Sequence, residues 1–492
     1  MGNAYLLSID EGTTNTKAIL VDRSGKIVAK ASEPVNLTHP HPGWAEQDPE
    51  QIWLATLAAI EHCVAAVDHS EIAGVAISNQ RESVLLWERA TGKALTPLVS
   101  WQCRRSEPLC RDIIDSNQVD FVAAATGAAI DPLFPASKIK WLLNAIPDGY
   151  QRAQRGEICA GTMDCWLAWK LTNGAVFVTD VSNASRYQLF NIHDFVWDSA
   201  LLSLFGIPKE CLPEVLPSSG DRGKVKLDCL DNMVPLLSQA GDSHAALYGQ
   251  GGFRAGIVKA TYGTGSSLMT MTSSLTNQNN GICSTVAWGD GKDNRWALEG
   301  NITHSGAAIQ YAAKLLGIKD IESFSELAWS VDSSEGAVFV PALAGLGAPH
   351  WVPDARAIFC GITDATERAH IARAAFEAVT YQVADVFFAM QDSVGAPLNA
   401  LYVDGGPTRN KALMQLQADL IQKPIYCRDV AELSALGAAF LAGRAIGWWP
   451  DDDTLEALLP KAEVILPNPN NKQDNNYQIW KHAVKRACFQ TQ

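Results

Sequence analysis

Two stretches half a chain apart carry residues able to grip a phosphate: LLSIDEGTTNTKAILVD from Leu6 to Asp22 and VKATYGTGSSLMTMT from Val258 to Thr272. Each reads as an apolar run, a short turn of glycine and hydroxyl residues, and a second apolar run, which is the pattern of a β-hairpin. Glycines leave backbone N–H groups open to an approaching anion, and the Thr and Ser hydroxyls beside them add further donors. Two such tips, one in each half, point to a duplicated nucleotide clamp.

The elements that must position these tips follow from the rest of the chain. At 492 residues the protein exceeds the size of a single core, so about two to three domains are expected. A hydrophobic content of 47 % with 19 % charged residues is that of an ordinary folded protein, and the net charge of −14 argues against nucleic acid or an anionic membrane as partner. It leaves room for ATP, bound through local N–H groups and Mg2+. The eleven cysteines form no CxxC pair and no Cys/His cluster at metal-ligand spacing, and are expected to be buried reduced thiols. The N-terminus lacks a basic, apolar leader, and the apolar run from Leu433 to Trp449 is interrupted by Arg444 and is too short to span a bilayer. A cytoplasmic protein is expected.

Along the chain, the opening hairpin continues through Asp22 to Gly25 into KIVAKASEPV, giving three antiparallel strands. In DPEQIWLATLAAIEHCVAAV, Asp48 is placed as N-cap, Pro49 takes the first helical position and Gln51 completes a capping box, with Trp53, Leu57, Ile60 and Val64 on one face. IAGVAISNQ then reads as a buried strand, so β-β-β-α-β emerges, typical of a mixed sheet covered by helices. The second half repeats this grammar with the strand WALEG, a helix from about Ser305, a long helix over Arg368 to Met390, and a strand ALYVD whose Gly-Gly turn feeds a further helix. GDSHAALYGQGGF, with Gly249, Gly251 and Gly252, is placed as the hinge, and two domains are drawn as 1–246 and 247–492. The tail PNPNNKQDNN is expected to be a surface loop before a last helix.

The residues resemble the FGGY carbohydrate kinases nearly end to end, through IDEGTTNTK, SNQRESVLLWE, SWQCRRS, GTMDCWLAWKLTNG, TDVSNASR, GDSHAALYGQ, TYGTG, ALEG, GLGAPHW, DGGPTRN and ELSALGAAFLAG. Together these motifs are highly specific, although each alone is weak. The resemblance implies an α/β fold of two actin-like ATPase domains with ribonuclease-H-like mixed sheets, ATP in the cleft between them, and a sugar or polyol pocket mainly on the N-terminal domain. It also makes a homodimer or tetramer plausible.

Phosphoryl transfer leaves the protein little covalent work: it must align an acceptor hydroxyl with the γ-phosphate and neutralise spreading charge. Asp10 is placed to hold Mg2+, directly or through water, since a hard cation takes carboxylate oxygen. Thr13, Thr14 and Asn15 are expected to contact phosphate oxygens, with Lys17 adding positive charge from the return strand. Asp242, after Gly241, suits a turn or helix cap on local sequence, and the resemblance makes it the general base and a second metal-facing carboxylate. Arg81 and Glu82 supply paired donors and acceptors for substrate hydroxyls, and Trp101 a flat face for its C–H side. On the nucleotide side, Thr264 and Gly265 are expected at the β- and γ-phosphates, Gly306 beside them, Gly405 and Gly406 against adenosine, and Asn410 near the base or ribose.

Three pocket positions depart from the glycerol-phosphorylating members of the family: Leu133 stands for a tyrosine, Ser243 for a glutamine and Ser267 for a phenylalanine. All three remove bulk or a polar anchor, so the expected acceptor is larger than glycerol, a polyol or sugar of four to six carbons. A Gly-Gly-Thr-Arg stretch that binds fructose 1,6-bisphosphate in some relatives is missing between Lys224 and Gln239, so that regulation is not expected. The alternatives are phosphorylation of glycerol itself and, from a different class, an actin-like ATPase without a sugar acceptor. Arg81, Glu82, Trp101 and Asp242 argue for the kinase, since a filament former needs no polyol pocket.

Overall fold

The structure is a computed structural model and describes residues 4–273, 275, 280–289, 294–428, 430, 432–470 and 474–489. The chain separates into two compact units: Met1–Phe253 with Ser284–Ala297 and Glu432–Leu459, and Arg254–Cys283 with Leu298–Ala431 and Pro460–Gln492. Two segments of the second half therefore belong to the first unit, which a cut at 246/247 does not capture.

In the first unit the sheet runs in the order Lys224–Val225, Val234–Gly241, Ile72–Asn79, Tyr5–Glu11, Asn15–Asp22, Ile27–Pro34. Tyr5–Glu11 pairs antiparallel with its hairpin partner and parallel with Ile72–Asn79, which in turn runs parallel to Val234–Gly241. Ile72–Asn79 is buried along its whole length, as a strand covered on both faces must be. The register places Asp10 beside Ser78, and Ser78 beside Ala240. The carboxyl ends of three parallel strands thus finish together, the place where open α/β sheets hold ligands.

The helix Pro49–Val64 begins as the sequence indicates, with the Asp48 carboxylate accepting from the Glu50 and Gln51 backbone N–H groups. Gln51 itself is exposed and makes no return bond, because water satisfies its amide as well as the cap would. The buried face is Ile52, Thr56, Ala59, Ile60, Cys63 and Val64, while Trp53 and Leu57 sit at its half-buried edge, one position round from the expected stripe.

The apolar run after Glu432 forms the buried helix Leu433–Ala445. Its carbonyls accept from Ser8 (at Ala435, 2.6 Å), Ser238 (at Ala438, 2.8 Å) and Ser219 (at Leu441, 2.7 Å). Against it lies the helix Asp242–Gly249; the segment placed as the hinge ends at Phe253, where the first unit passes into the second at Arg254. A Cβ on Gly437 would stand 1.8 Å from the Ala245 carbonyl oxygen, and one on Gly249 would stand 2.6 Å from that of Leu433. These glycines let two helices touch backbone to backbone inside one unit, and Gly249 ends a regular helix.

The second unit repeats the theme. Ile257–Tyr262 pairs antiparallel with Ser266–Thr272 and parallel with Ala400–Asp404, which runs parallel to Ile425–Cys427; Glu463–Ile465 closes that side. Thr261 lies beside Asp404, so the second hairpin tip and the Gly-Gly turn emerge together. Helices Arg368–Val394 and Lys411–Ile421 cover this sheet over a core that includes Val258, Tyr262, Phe376, Phe387 and Leu401. All eleven cysteines are unpaired; seven are buried as expected, whereas Cys229, Cys360, Cys427 and Cys488 are half-buried. Among the described residues no helix is long and apolar enough to cross a membrane.

Candidate active site

The strand Tyr5–Glu11 delivers Asp10 half-buried at its end, where the Ser78 hydroxyl donates to Oδ1 at 2.8 Å and Lys17 stands directly across the hairpin. Burial pushes the Asp10 carboxyl above its ordinary range, while the Ser78 bond and the Lys17 charge pull it back. Its neighbour Glu11 is fully buried and is raised much further by burial, with the Asp10 and Asp242 charges adding to the shift against the pull of Gln80. Glu11 thus senses the charges of both Asp10 and Asp242. The tip is closed by Gly12 N–H to the Asn15 carbonyl (3.0 Å), and the Asn15 amide donates to Thr14 Oγ1 (3.1 Å). Thr13 Oγ1 accepts from the Trp101 indole N–H at 3.1 Å.

The next strand leads into Arg81 and Glu82. The buried Arg81 donates from Nε to Asp242 Oδ1 at 3.2 Å. Its stem crosses Gly241 so closely that a Cβ there would meet Arg81 Cδ at 2.5 Å. Glu82 adopts a left-handed backbone (φ 62°), a conformation costly for a glutamate and held here by two cations. Arg186 Nε donates to its carboxylate at 2.6 Å in a fully buried pair, and Lys138 Nζ donates to its carbonyl at 3.1 Å. The same ammonium donates to the Leu133 carbonyl at 2.6 Å, so Glu82 and Leu133 are fixed by one lysine. Burial brings the Lys138 pKa down to about 8.

Asp242 opens the helix that follows Val234–Gly241, where the helix N-terminus favours a carboxylate, and its Oδ1 also accepts from the Ser243 N–H at 2.6 Å. With 39 % of its side chain exposed, against 7 % for Arg81, it is the more accessible partner of the pair. Trp101, 38 % exposed, presents its ring on a loop anchored by Arg105. The Arg105 guanidinium lies 3.9 Å from the Trp44 ring centroid and 5.2 Å from that of Trp141, and bonds Glu46 at 2.6 Å. In the first unit, hydrogen bonds thus join Asp10 to Ser78, Thr13 to Trp101, Asp242 to Arg81 and the Ser243 N–H, and Glu82 to Leu133 through Lys138. Lys17 faces Asp10 by strand register. Ser267 lies in the second unit, where its hydroxyl donates to Glu299 at 3.4 Å.

In the second unit the tip is held by backbone. The Thr264 carbonyl accepts from Ser305 and Ala307 N–H (2.9 and 3.1 Å), and that of Gly263 accepts from Gly306 N–H at 2.9 Å. The Gly306 amide is thus spent on the tip, and its lack of a side chain is what lets the helix Gly306–Leu315 approach: a Cβ would stand 2.6 Å from the Gly263 oxygen. Gly265 is as tight, 2.4 Å from the Ile302 carbonyl oxygen, and Gly405 (φ 103°) would bring a Cβ within 1.9 Å of that of Tyr262. Gly406 faces open space, and Thr264 is exposed at the tip. The Asn410 side chain is engaged twice, capping Leu413 N–H at 3.0 Å and donating to Ser325 at 2.9 Å, so it sets the exit of the Gly-Gly turn.

Sequence reasoning gave no role to Glu11, Ser78, Gln80 or Arg186. A signal was present: charged, amide or hydroxyl residues inside runs that otherwise read as buried. Which of them would meet depends on strand register, which one chain does not display.

Residues 5–249 match the N-terminal domain, and residues 258–446 the C-terminal domain, of the FGGY family of carbohydrate kinases. The chain is 51 % identical over 491 residues to an apulose kinase of Pectobacterium atrosepticum, covering 99 % of both. It is 41 % identical over 491 residues to a glycerol kinase 2 of Sulfolobus acidocaldarius, covering 99 % of this chain and 98 % of the relative. Among solved structures it is similar to the Plasmodium falciparum glycerol kinase with ADP, at a TM-score of 0.93 and 31 % identity over the whole of both chains.

Proposed function

The chain belongs to the FGGY family of carbohydrate kinases, phosphotransferases that act on a sugar or polyol hydroxyl with ATP as donor, and we propose that its acceptor is a sugar larger than glycerol, of the size of apulose. The observation that carries this reading is the first unit's cluster, in which Arg81, Glu82, Trp101 and Asp242 stand with Leu133 and Ser243 where glycerol-phosphorylating relatives are expected to carry bulkier groups. The branched Leu133 cannot hydrogen-bond an acceptor as a phenol would, and the short Ser243 leaves room for extra carbons. Ser267 belongs to the same proposal.

In the proposed reaction Asp242 accepts the proton of the attacking hydroxyl as the new O–P bond forms and the bond from the γ-phosphorus to the bridging oxygen breaks, releasing ADP. Arg81 orients Asp242 through the 3.2 Å bond and, with Glu82, binds neighbouring hydroxyls; Trp101 packs on the C–H face. Thr13, Thr14, Asn15 and Lys17 contact phosphate oxygens, as do Thr264 and Gly265. Gly405 and Gly406 let adenosine approach, with Gly306 and Asn410 fixing the framework around them.

The donor set at the first strand end fits Mg2+: oxygen ligands only, and carboxyls whose mutual repulsion a cation would relieve. Among the described residues no group of three or more His, Cys, Asp or Glu side chains could hold a metal by itself, which suits an ion bound mainly by phosphates and water. Asp10 and Asp242 would hold it, and it would neutralise phosphate charge. We place the enzyme in the cytoplasm, acting as a homo-oligomer.

The test is an acceptor panel of apulose, four- to six-carbon ketoses, aldoses and polyols, and glycerol, with ADP release measured and the product's phosphorylated hydroxyl determined. The highest kcat/KM is expected for a sugar of four or more carbons. Glycerol ranking first would overturn the proposal.

A further inference from the structure

A closed circuit of hydrogen bonds inside the first unit joins the phosphate hairpin to the acceptor-facing tryptophan. Starting at the tip, the Thr13 carbonyl accepts from Gln47 Nε2 at 3.1 Å, and Gln47 Oε1 accepts from Gln80 Nε2 at 2.9 Å. Gln80 Oε1 accepts from the Ser83 hydroxyl at 2.8 Å, and Ser83 Oγ accepts from the Trp101 backbone N–H at 3.1 Å. The Trp101 indole N–H then donates back to Thr13 Oγ1 at 3.1 Å, closing the ring. Gln47, Gln80 and Ser83 are all buried. Gln80 is its hub: Nε2 also reaches both Glu11 carboxylate oxygens at 3.2 Å, and its own N–H donates to the Glu11 carbonyl at 2.6 Å.

We propose that this ring, with Gln80 at its centre, makes the first phosphate hairpin and the Trp101 acceptor face a single body, so that a sugar ordering Trp101 also orders Thr13 for the nucleotide. Gln80 is a positioning residue here, since it acts through Thr13 and Trp101. Gln47, Gln80 and Ser83 are buried, so pulling the tip from Gln47 or Trp101 from Ser83 breaks part-buried bonds, while the closing Thr13–Trp101 bond is exposed to solvent. Motion of the tip away from Trp101 is opposed by that cost, which is how two adjacent subsites become energetically linked. The linkage is reciprocal: nucleotide tightens sugar as much as sugar tightens nucleotide. The inference rests on the reading that the sugar packs on Trp101 and phosphate on the hairpin.

The experiment measures the dissociation constant of a non-hydrolysable ATP analogue with Mg2+, with and without saturating apulose or the panel's best acceptor, in the wild type, Trp101→Phe and Gln80→Met. Trp101→Phe keeps an aromatic face, smaller by the pyrrole ring, and removes the indole N–H at a partly exposed position, and the saturating sugar offsets any loss of its own affinity. The wild type is expected to bind nucleotide about fivefold or more tighter with sugar present, the lower end of measured couplings. Both variants should lose at least about two thirds of that factor while the sugar-free nucleotide affinity changes by less than about threefold. If Gln80→Met does not fold, Trp101→Phe decides alone. A coupling factor unchanged in the folded variants, or an active wild type without coupling, overturns the inference; a wild type that neither binds nor phosphorylates any sugar in the panel overturns the functional reading instead.

Discussion

The two hairpin tips share a sequence grammar and differ in what holds them. At the first, side chains carry the structure: Asp10 answers Ser78 and Lys17, Thr13 answers Trp101, and Gln47 reaches the tip carbonyl. At the second, peptide groups do most of it, through N–H donors of Ser305, Gly306 and Ala307 and glycines packed against carbonyl oxygens, with one side-chain bond from Ser266 Oγ to Ser305 Oγ at 2.8 Å. The difference teaches that a phosphate-sized turn can be stabilised by replaceable chemistry or by the absence of atoms. The first tip should therefore fail when a functional group is changed, and the second when a methyl group is added.

The largest effect tests the chemical side. Asp242→Asn keeps the shape of the residue and removes its basicity, and is expected to lower kcat by about 10²- to 10⁴-fold with ATP KM nearly unchanged. Steady-state kinetics on both substrates decide it, and an unchanged kcat would take Asp242 out of the role of base.

Next, Gly405→Ala or Gly265→Ala adds a single carbon 1.9 or 2.4 Å from a backbone oxygen. Overpacking of this kind costs about 1–3 kcal/mol, so ATP KM should rise roughly tenfold or more. Gly12→Ala meets its nearest oxygen at 3.2 Å and should move ATP KM by less than about threefold. Equal effects at the two tips would erase the contrast.

Arg81→Ala is expected to raise acceptor KM by about tenfold through lost hydroxyl contacts and a loosened Asp242, with ATP KM spared. A defect confined to ATP would contradict the assignment of Arg81 to the acceptor.

The smallest effect compares the units as wholes. Burial raises the thiols of Cys63 and Cys110 to about 11 and those of Cys159 and Cys211 to about 12, all in the first unit, and that of Cys427, in the second, to about 11. A folded-state pKa above the unfolded value gives stability that is complete below pH 9 and is lost as pH rises through the folded value. Each thiol loses about 1 kcal/mol per pH unit in that window. Lys138, depressed to about 8, and Arg222, depressed to about 10, work in the opposite direction, but they are two groups against four. The melting temperature should fall between pH 9 and 11, with mass-mapped alkylation trapping first-unit cysteines before Cys427. Simultaneous trapping would show that the units unfold together in alkali.

Much of the fold was legible because it is local. Hairpin turns, the Asp48 cap and the Ser305 start of a helix follow from neighbouring residues whose backbone preferences need no distant partner. The capping-box partner Gln51 and the face containing Trp53 were read less well, since water competes for an exposed amide and the buried face depends on what lies opposite. Gly249 reads as punctuation in the sequence, and only the structure shows that it also packs against the Leu433 carbonyl of a helix far along the chain.

By itself the sequence determined the residue types that can do this chemistry, their order on strand ends and turns, and the family they belong to, because motif spacing is a property of the chain. Only the tertiary structure decided that Arg81 meets Asp242, that Arg186 and Lys138 hold Glu82 in a left-handed backbone, and that Gln80 closes a ring with Trp101 and Thr13. These pairings come from parallel register and buried hydrogen bonding between distant segments. Once water is excluded, each buried polar atom takes whichever partner the fold brings within reach.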